Sequence, residues 1–439
     1  MADVEAIAKQ ACAEAVAAGA ESADVVVGRG KNLSLDIERG RIKSSDASWG
    51  SWCSVRAVVK GGIGWASAPG ADAEAARTAA RQAAELAALA EPDPAFVSLP
   101  RPEERPEVEG LYDERVAELT IDDLVGMCLS NVESARSVEP SVIVTGGAYC
   151  GRSESVLVNS LGVCVHWRST YVSTSIDAVV RRGDDVGTFY DYDSARVMED
   201  FDPNGLGARA TQVAVGFLGA RKIPSGTMAL VFGPLASGSI GQAIASAASA
   251  EEVQRNRSFL AGKRGERIAS DLVTLVDDPF IPRGMSSGAY DGEGAPRTKL
   301  TLVERGILKA YYHNSYTAGK AGEPNTGHGT RGGVSPTNVI PELGDRTAAE
   351  IIADTANGLY LNAGWASPNM VNGDLSVTVD FGTRIEDGQL TYPVKNTMFG
   401  GNFLDLLRNI DAISSDCRRE PGQVLPTLRV RDVLVAGGG

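Results

Sequence analysis

Histidine is the scarcest chemically versatile residue in this chain: His166, His313 and His328 are the only three in 439 positions. No two stand at the close helical spacing of a helix-borne zinc site, so a histidine-built metal centre would have to gather them from distant segments. That argues against an autonomous metalloenzyme. The six cysteines (Cys12, Cys53, Cys128, Cys150, Cys164 and Cys417) show no CxxC spacing. Neither a zinc knuckle nor a disulfide framework is indicated, and most read as small buried hydrophobes. A basic cluster with interleaved aromatics is missing as well. With a net charge of −14, nucleic acid and anionic membranes are poor partners. No apolar run approaches the roughly 20 residues that span a bilayer. The first residues carry acids early and lack the apolar core of a signal peptide. A cytoplasmic protein with no nucleic-acid or membrane partner is the expectation. Dinucleotide fingerprints and Walker loops are absent too.

What remains is the composition of an ordinary globular protein, 43% apolar and 22% charged, and long enough for two or three domains. Alanine-rich periodicity predicts a helix over 4–18, stopped by Gly19. Alternating apolar residues predict strands at 25–27, 32–38 and 52–59, and a further helix covers 71–90 until Glu91-Pro92-Asp93-Pro94 breaks it. Residues 100–109, rich in proline and charge, read as a linker. Thr120 is an N-cap candidate for a helix over 121–136. Strands follow at 141–148, 154–159 and 162–180, the last with an interruption, around a hairpin turn at 160–162. A helix at 206–218 precedes a boundary at 223–226. Beyond it come a strand at 227–232, a helix at 237–250, a loop to 267 and a strand at 272–276. Helices at 347–358 and 402–409 are expected among strands that run to 427–435. Strands joined by local turns predict an α+β fold. N-terminal helix/antiparallel-sheet domains, 1–99 and 110–222, precede a strand-rich C-terminal domain, 226–439.

Polar chemistry concentrates between residues 290 and 333. The turns Asp291-Gly292-Glu293-Gly294 and Thr326-Gly327-His328-Gly329-Thr330-Arg331 flank apolar segments that read as a buried hairpin. Such a layout suits a site carried on loops above a sheet. His328, between two glycines, has the backbone freedom of a ligand-facing residue, and Arg331 can clamp a carboxylate. Asp291 and Glu293 are either a carboxylate pair or turn-formers. His166 and His313 sit in aromatic strand patterns and read as packed residues. Cys417 precedes Arg418-Arg419, which can favour a thiolate, yet no histidine lies near it in sequence. Gly284-Met285-Ser286-Ser287-Gly288 matches a nucleophile elbow only by letter, since Pro282 and the Asp291 turn exclude the strand and helix it needs. No independent catalytic set emerges.

Short motifs along almost the whole chain resemble the TldD/PmbA family, and within it the PmbA (TldE) branch. They are Gly19-Ala20-Glu21-Ser22-Ala23-Asp24-Val25, Gly62-Ile63-Gly64-Trp65-Ala66-Ser67, Phe259 and Asp277-Asp278-Pro279. Asp291-Gly292-Glu293-Gly294, Gly306-Ile307-Leu308, Ser315-Tyr316-Thr317-Ala318, Thr326-Gly327-His328 and residues 402–409 complete the set. The resemblance implies a peptidase whose TldD-like subunit carries zinc on a His-Glu-x-x-x-His helix. Counting back from Ser258-Phe259, Ile240 and Ala245 fall on the two histidine positions and Gly241 on the glutamate. None can bind zinc or act as a base. The implied role is a metal-free subunit with no catalytic residue of its own. It would shape the cleft for extended peptides beside a zinc-bearing TldD-like partner, with His328, Arg331, Asp291 and Glu293 facing the shared cavity. A homodimer is one open option when the chain is alone. Two other readings stay open: a homodimeric enzyme acting on a small natural product through His328 and Cys417, and a regulatory interaction protein.

Overall fold

The computed structural model describes residues 2–438. Helix α1 (Ala2–Ala17) ends at Gly19, whose φ of 104° suits glycine alone. Then come β1 (Ser22–Glu38), β2 (Arg41–Val59), β3 (Gly62–Pro69) and α2 (Ala73–Leu89). After an irregular connection, α3 (Glu114–Ala117) and α4 (Ile121–Val138) lead to β4 (Ile143–Asn159), β5 (Cys164–Arg182), β6 (Asp185–Ala195) and α5 (Leu206–Gly216). Thr120 caps α4 in a capping box with Asp123.

All six strands form one antiparallel sheet in the order β3-β2-β1-β4-β5-β6. The ladder from Asp24↔Asn159 to Ile37↔Gly146 therefore runs straight across the connection between 1–99 and 110–222. The strands are longer than local signals suggested. Gly28 and Gly30 read as a break, yet β1 passes through both. A Cβ on Gly28 would lie 2.3 Å from the Trp52 ring, so glycine here admits an indole rather than ending a strand.

Side-chain alternation divides the work of the sheet. Val25 and Val27 of β1 pack with α1 and α2, and Leu33, Leu35 and Ile37, further along the same face, pack with α4 and α5. Helix α2 approaches β3 closely because Gly64 has no side chain: a Cβ there would sit 2.2 Å from Ala83 O. The reverse face carries Asp24 and Val26, with Leu157, Val163 and Val165 nearby. A Cβ on Gly294 would lie 2.8 Å from Val163, so the 291–294 turn packs directly on this reverse face.

The C-terminal half begins with β7 (Gly226–Gly233), α6 (Pro234–Ala247) and α7 (Ala250–Gln254). A small sheet joins β8 (Leu275–Asp277), β9 (Leu300–Glu304), β10 (Ile307–Leu308) and β11 (Val339–Pro341), and α8 (Ser315–Ala321), which lies against α7, falls between β10 and β11 in the chain. Helix α9 (Ala348–Ala353) precedes β12 (Asn357–Ala363), β13 (Asp374–Thr378), β14 (Phe381–Glu386), β15 (Gln389–Pro393) and β16 (Met398–Asn402). Helix α10 (Phe403–Arg408), β17 (Ile410–Glu420) and β18 (Gln423–Ala436) close the chain. The larger sheet runs β13-β16-β18-β7-β12-β14-β15, with β17 paired to β18. The architecture is α+β, an antiparallel N-terminal sheet followed by a strand-rich C-terminal domain.

Several local readings need correction. Residues 311–314 are not a strand; Asn314 caps α8 in a capping box with Thr317. The helix expected over 347–358 stops at Ala353 because 357–363 pairs as β12 with β7 and β14. Strands β6, β16 and β17 lacked a clear local signal and owe their form to ladder partners. Among the described residues, no helix is long and apolar enough to cross a membrane.

Candidate functional site

The Gly62-Ile63-Gly64-Trp65 motif, the Asp24 strand and the 291–331 turns meet at one buried junction. Trp65, Arg56 and Asp24 are cross-strand neighbours in a lateral row over β3, β2 and β1. Arg56 Nε donates to Asp24 Oδ2 at 2.8 Å, and Arg56 Nη1 donates to Glu293 Oε1 at 2.7 Å. From the other half of the protein, Arg331 Nη1 reaches Asp24 Oδ1 at 2.5 Å and Nη2 donates to Ser54 O at 3.3 Å. Both guanidiniums lie against the Trp65 ring, with Cζ to centroid distances of 5.2 Å for Arg56 and 5.0 Å for Arg331. Burial alone would raise the Asp24 carboxyl, but Arg56 and Arg331 outweigh it and hold it below the usual range.

Asp291 folds its own turn. Its Oδ1 accepts from the backbone N–H groups of Glu293 and Ala295, both at 2.9 Å, and Oδ2 accepts from Gly329 N at 2.7 Å. Burial and the neighbouring Glu293 nonetheless push its pKa up to about 7. Glu293 Oε2 accepts from Ser315 N at 2.9 Å, at the start of α8. Glycine at 329 permits this approach, because a Cβ would lie 2.7 Å from Asp291 Oδ2 and 3.0 Å from Glu293 Oε2. Gly327 turns with φ 68° under the backbone of Pro296.

His328 is enclosed as well. Its Nδ1 lies 2.9 Å from Thr326 O and 3.0 Å from Thr326 Oγ1, and its ring tilts against Tyr312 at 4.7 Å. Nε2 is 3.3 Å from Asp277 Oδ1, off the line of a hydrogen bond. Burial opposes ionisation of Asp277, but His328 and the N–H and O–H of Thr337 hold its carboxyl below the usual range.

The four residues expected at a cleft thus fall together, in an environment unlike the one anticipated. Asp291, Glu293 and His328 are 1%, 2% and 1% exposed, each engaged by internal partners. Arg331, with a side chain 21% exposed, and Trp65, 40% exposed, form the accessible margin. Asp24, Arg56 and Thr337 had no assigned role. A signal for Asp24 was present: a carboxylate inside Ala23-Asp24-Val25-Val26-Val27 must be paired when that strand is buried. His313 is packed, 3% exposed, and burial lowers its pKa. His166 is not packed; it lies at the surface of β5, 33% exposed. Near Cys417, Arg418 is committed elsewhere, donating to Asp191 and Glu420 at 2.8 Å each.

Helix α6 offers the opposite chemistry. Gly233 is its N-cap, Pro234 fills the first helical position, and Ile240, Ile244 and Ala245 are buried in the C-terminal core. Ile240 and Gly241 border a cavity of about 170 Å³ with a mixed lining, Leu275, Val339, Leu407 and Leu425 beside Ser237, Gln242, Thr337 and Asn338. No nitrogen, sulfur or carboxylate stands on the 240, 241 and 245 side chains. This helix does not fit a zinc ion.

Three sequence-family models match: "PmbA/TldA metallopeptidase domain 1" over 23–87, the "central domain" over 114–218 and the "C-terminal domain" over 225–437. A metalloprotease of Methanothermobacter thermautotrophicus is 31% identical over 334 residues, 70% of this chain and 73% of the relative. The metalloprotease PmbA of Escherichia coli O157:H7 is 22% identical over 95% of this chain and 92% of the relative. The crystal structure of TldE from Thermococcus kodakarensis superposes with a TM-score of 0.90 at 26% identity, covering 98% of this chain and all of that one. A putative modulator of a DNA gyrase from Thermotoga maritima gives 0.89 at 26% identity, with coverage of 98% and 100%. With models matching in order over most of its length, the chain belongs to the PmbA/TldD metallopeptidase family.

Proposed function

We propose that this chain is the TldE-like, metal-free subunit of a two-subunit zinc peptidase. Its partner carries the His-Glu-x-x-x-His helix, and this chain shapes the cleft that guides extended peptides. The observation that supports the reading is α6, where Ile240, Gly241 and Ala245, the residues that the family resemblance sets at the positions of two ligands and a general base, carry no donor atom. An ion needs lone pairs that hydrocarbon side chains lack. The junction supports a guiding role: the buried ion pairs of Asp24, Arg56 and Glu293 and the Asp291 carboxyl that accepts from Gly329 N brace the 326–333 loop, and Arg331 and Trp65 form its outer margin. Residues 41–50 of β2 extend past the last β3 pair, Trp52↔Pro69, and past Ser51, whose carbonyl accepts from Gly70 N, leaving a strand edge on that side for a peptide backbone.

Reconstitution tests the assignment. Mixed with a TldD-like subunit and zinc, the chain should form a stable complex that cleaves unfolded peptides, and neither subunit alone should do so. Turnover by this chain alone would overturn the proposal. Replacing His328 and Arg331 together with alanine should lower turnover of the pair without blocking assembly on size-exclusion chromatography. Unchanged kinetics would sink the cleft-wall role.

A further inference from the structure

Cys164 and His166 stand two residues apart on β5, so both side chains leave the same face of the strand. Helix α1 packs at that end of the sheet and brings Glu5 to them. Glu5 Oε2 lies 3.2 Å from His166 Nε2, and His166 Nε2 lies 3.7 Å from Cys164 Sγ. All three donor atoms fall within 4.8 Å of one another. Tetrahedral zinc holds oxygen, nitrogen and sulfur at about 2.0–2.3 Å, which sets neighbouring donors roughly 3.3–3.8 Å apart. The His166–Cys164 separation lies within that spacing, the Glu5–His166 separation falls just below it, and the third pair lies within 4.8 Å.

We propose that Glu5, Cys164 and His166 bind a zinc-type divalent cation, with a fourth position open to water. One thiolate and one carboxylate balance a double positive charge, and sulfur with imidazole selects against magnesium and calcium. The second glutamate oxygen, Oε1, accepts from Lys9 Nζ at 2.5 Å, which fixes the carboxylate and leaves Oε2 for the ion. Glu5 and His166 are 28% and 33% exposed, so an ion reaches them from solvent. Burial and the Glu5 carboxylate raise the Cys164 pKa. Binding therefore replaces the S–H bond with an S–metal bond and releases that proton to solvent. The consequence is structural. β6 pairs with β5 only from Val172 onward, so residues 164–171 have a strand neighbour on one side alone, and the ion ties this stretch to α1. The site shares no residue with α6 or with the His328 junction, and it stands or falls separately from the peptidase reading.

The test uses the full chain, reduced and stripped of metal, titrated with Co²⁺. The expected result is one cobalt per chain with a thiolate charge-transfer band in the near ultraviolet. Cys164→Ser should abolish the band, and His166→Ala and Glu5→Gln should each weaken binding by more than about tenfold. Zn²⁺ should displace the cobalt and raise the melting temperature of the wild type but not of Cys164→Ser. All three side chains are partly exposed, so the apo variants should melt with the apo wild type, which separates ligand loss from misfolding. Absence of the thiolate band, equal cobalt binding by His166→Ala, or an equal zinc-induced shift in Cys164→Ser would overturn the site.

Discussion

Helix α6 and the 290–333 junction invert the usual relation between polar sequence and function. The junction is crowded with Asp, Glu, His and Arg, yet most of these groups are enclosed and spent on one another. The helix carries mainly small and apolar residues, and its lack of ligands is the clue on which the proposed reading rests. Polar residues in glycine-rich turns advertise chemistry, but a buried charge network fastening two domains has the same composition. Only the partners of each group tell the two apart.

Breaking the junction should have the largest effect. Arg56→Met leaves Asp24 and Glu293 buried without their shared cation, so urea unfolding should show a loss of about 3–5 kcal/mol. A loss under 1 kcal/mol would mean that water reaches the junction and the network is weakly coupled. The helix should respond through packing alone. Ile240→Ala removes buried hydrocarbon beside an existing cavity and should cost about 2–4 kcal/mol. Activity of the reconstituted pair, normalised to folded protein, should stay level, and any further loss would place α6 in the chemistry. The subtlest test concerns Asp291. Its folded-state pKa, about 7, lies above the ordinary unfolded value of about 3.9. The folded state keeps a proton that the unfolded state releases, so this group's contribution is full below about pH 4 and is lost as pH rises through about 7. The melting temperature of the wild type relative to Asp291→Asn should therefore fall across that window. A pH-independent difference would show that the three backbone N–H bonds keep the carboxylate ionised.

Much of the N-terminal half was legible locally. Thr120 announced its helix, and the hairpin turn at 160–162 marked the end of one strand and the start of the next. The errors arose where long-range pairing overrode local signals. Gly28 and Gly30 looked like a break because only the fold shows the Trp52 ring seated over Gly28. His166 looked packed beside Trp167, yet alternation along β5 sends it to the surface beside Glu5, roughly 160 residues away in sequence. The motifs of the candidate site were visible as a set, but the role of Asp24 and Arg56 was not. Each takes its partner from another strand or the other half of the chain, and such pairings leave no local period.

By itself the sequence determined the α+β class, the family resemblance and the absence of donor atoms at Ile240, Gly241 and Ala245. These follow from residue identity and local periodicity, and folding does not change them. The tertiary structure decided which polar groups face solvent. Asp291, Glu293 and His328 turned inward because partners met them there: the backbone N–H groups of their own turns for Asp291, Arg56 on β2 for Glu293, and Thr326 and Asp277 for His328; a polar group engaged by internal partners is held inside rather than offered to a ligand.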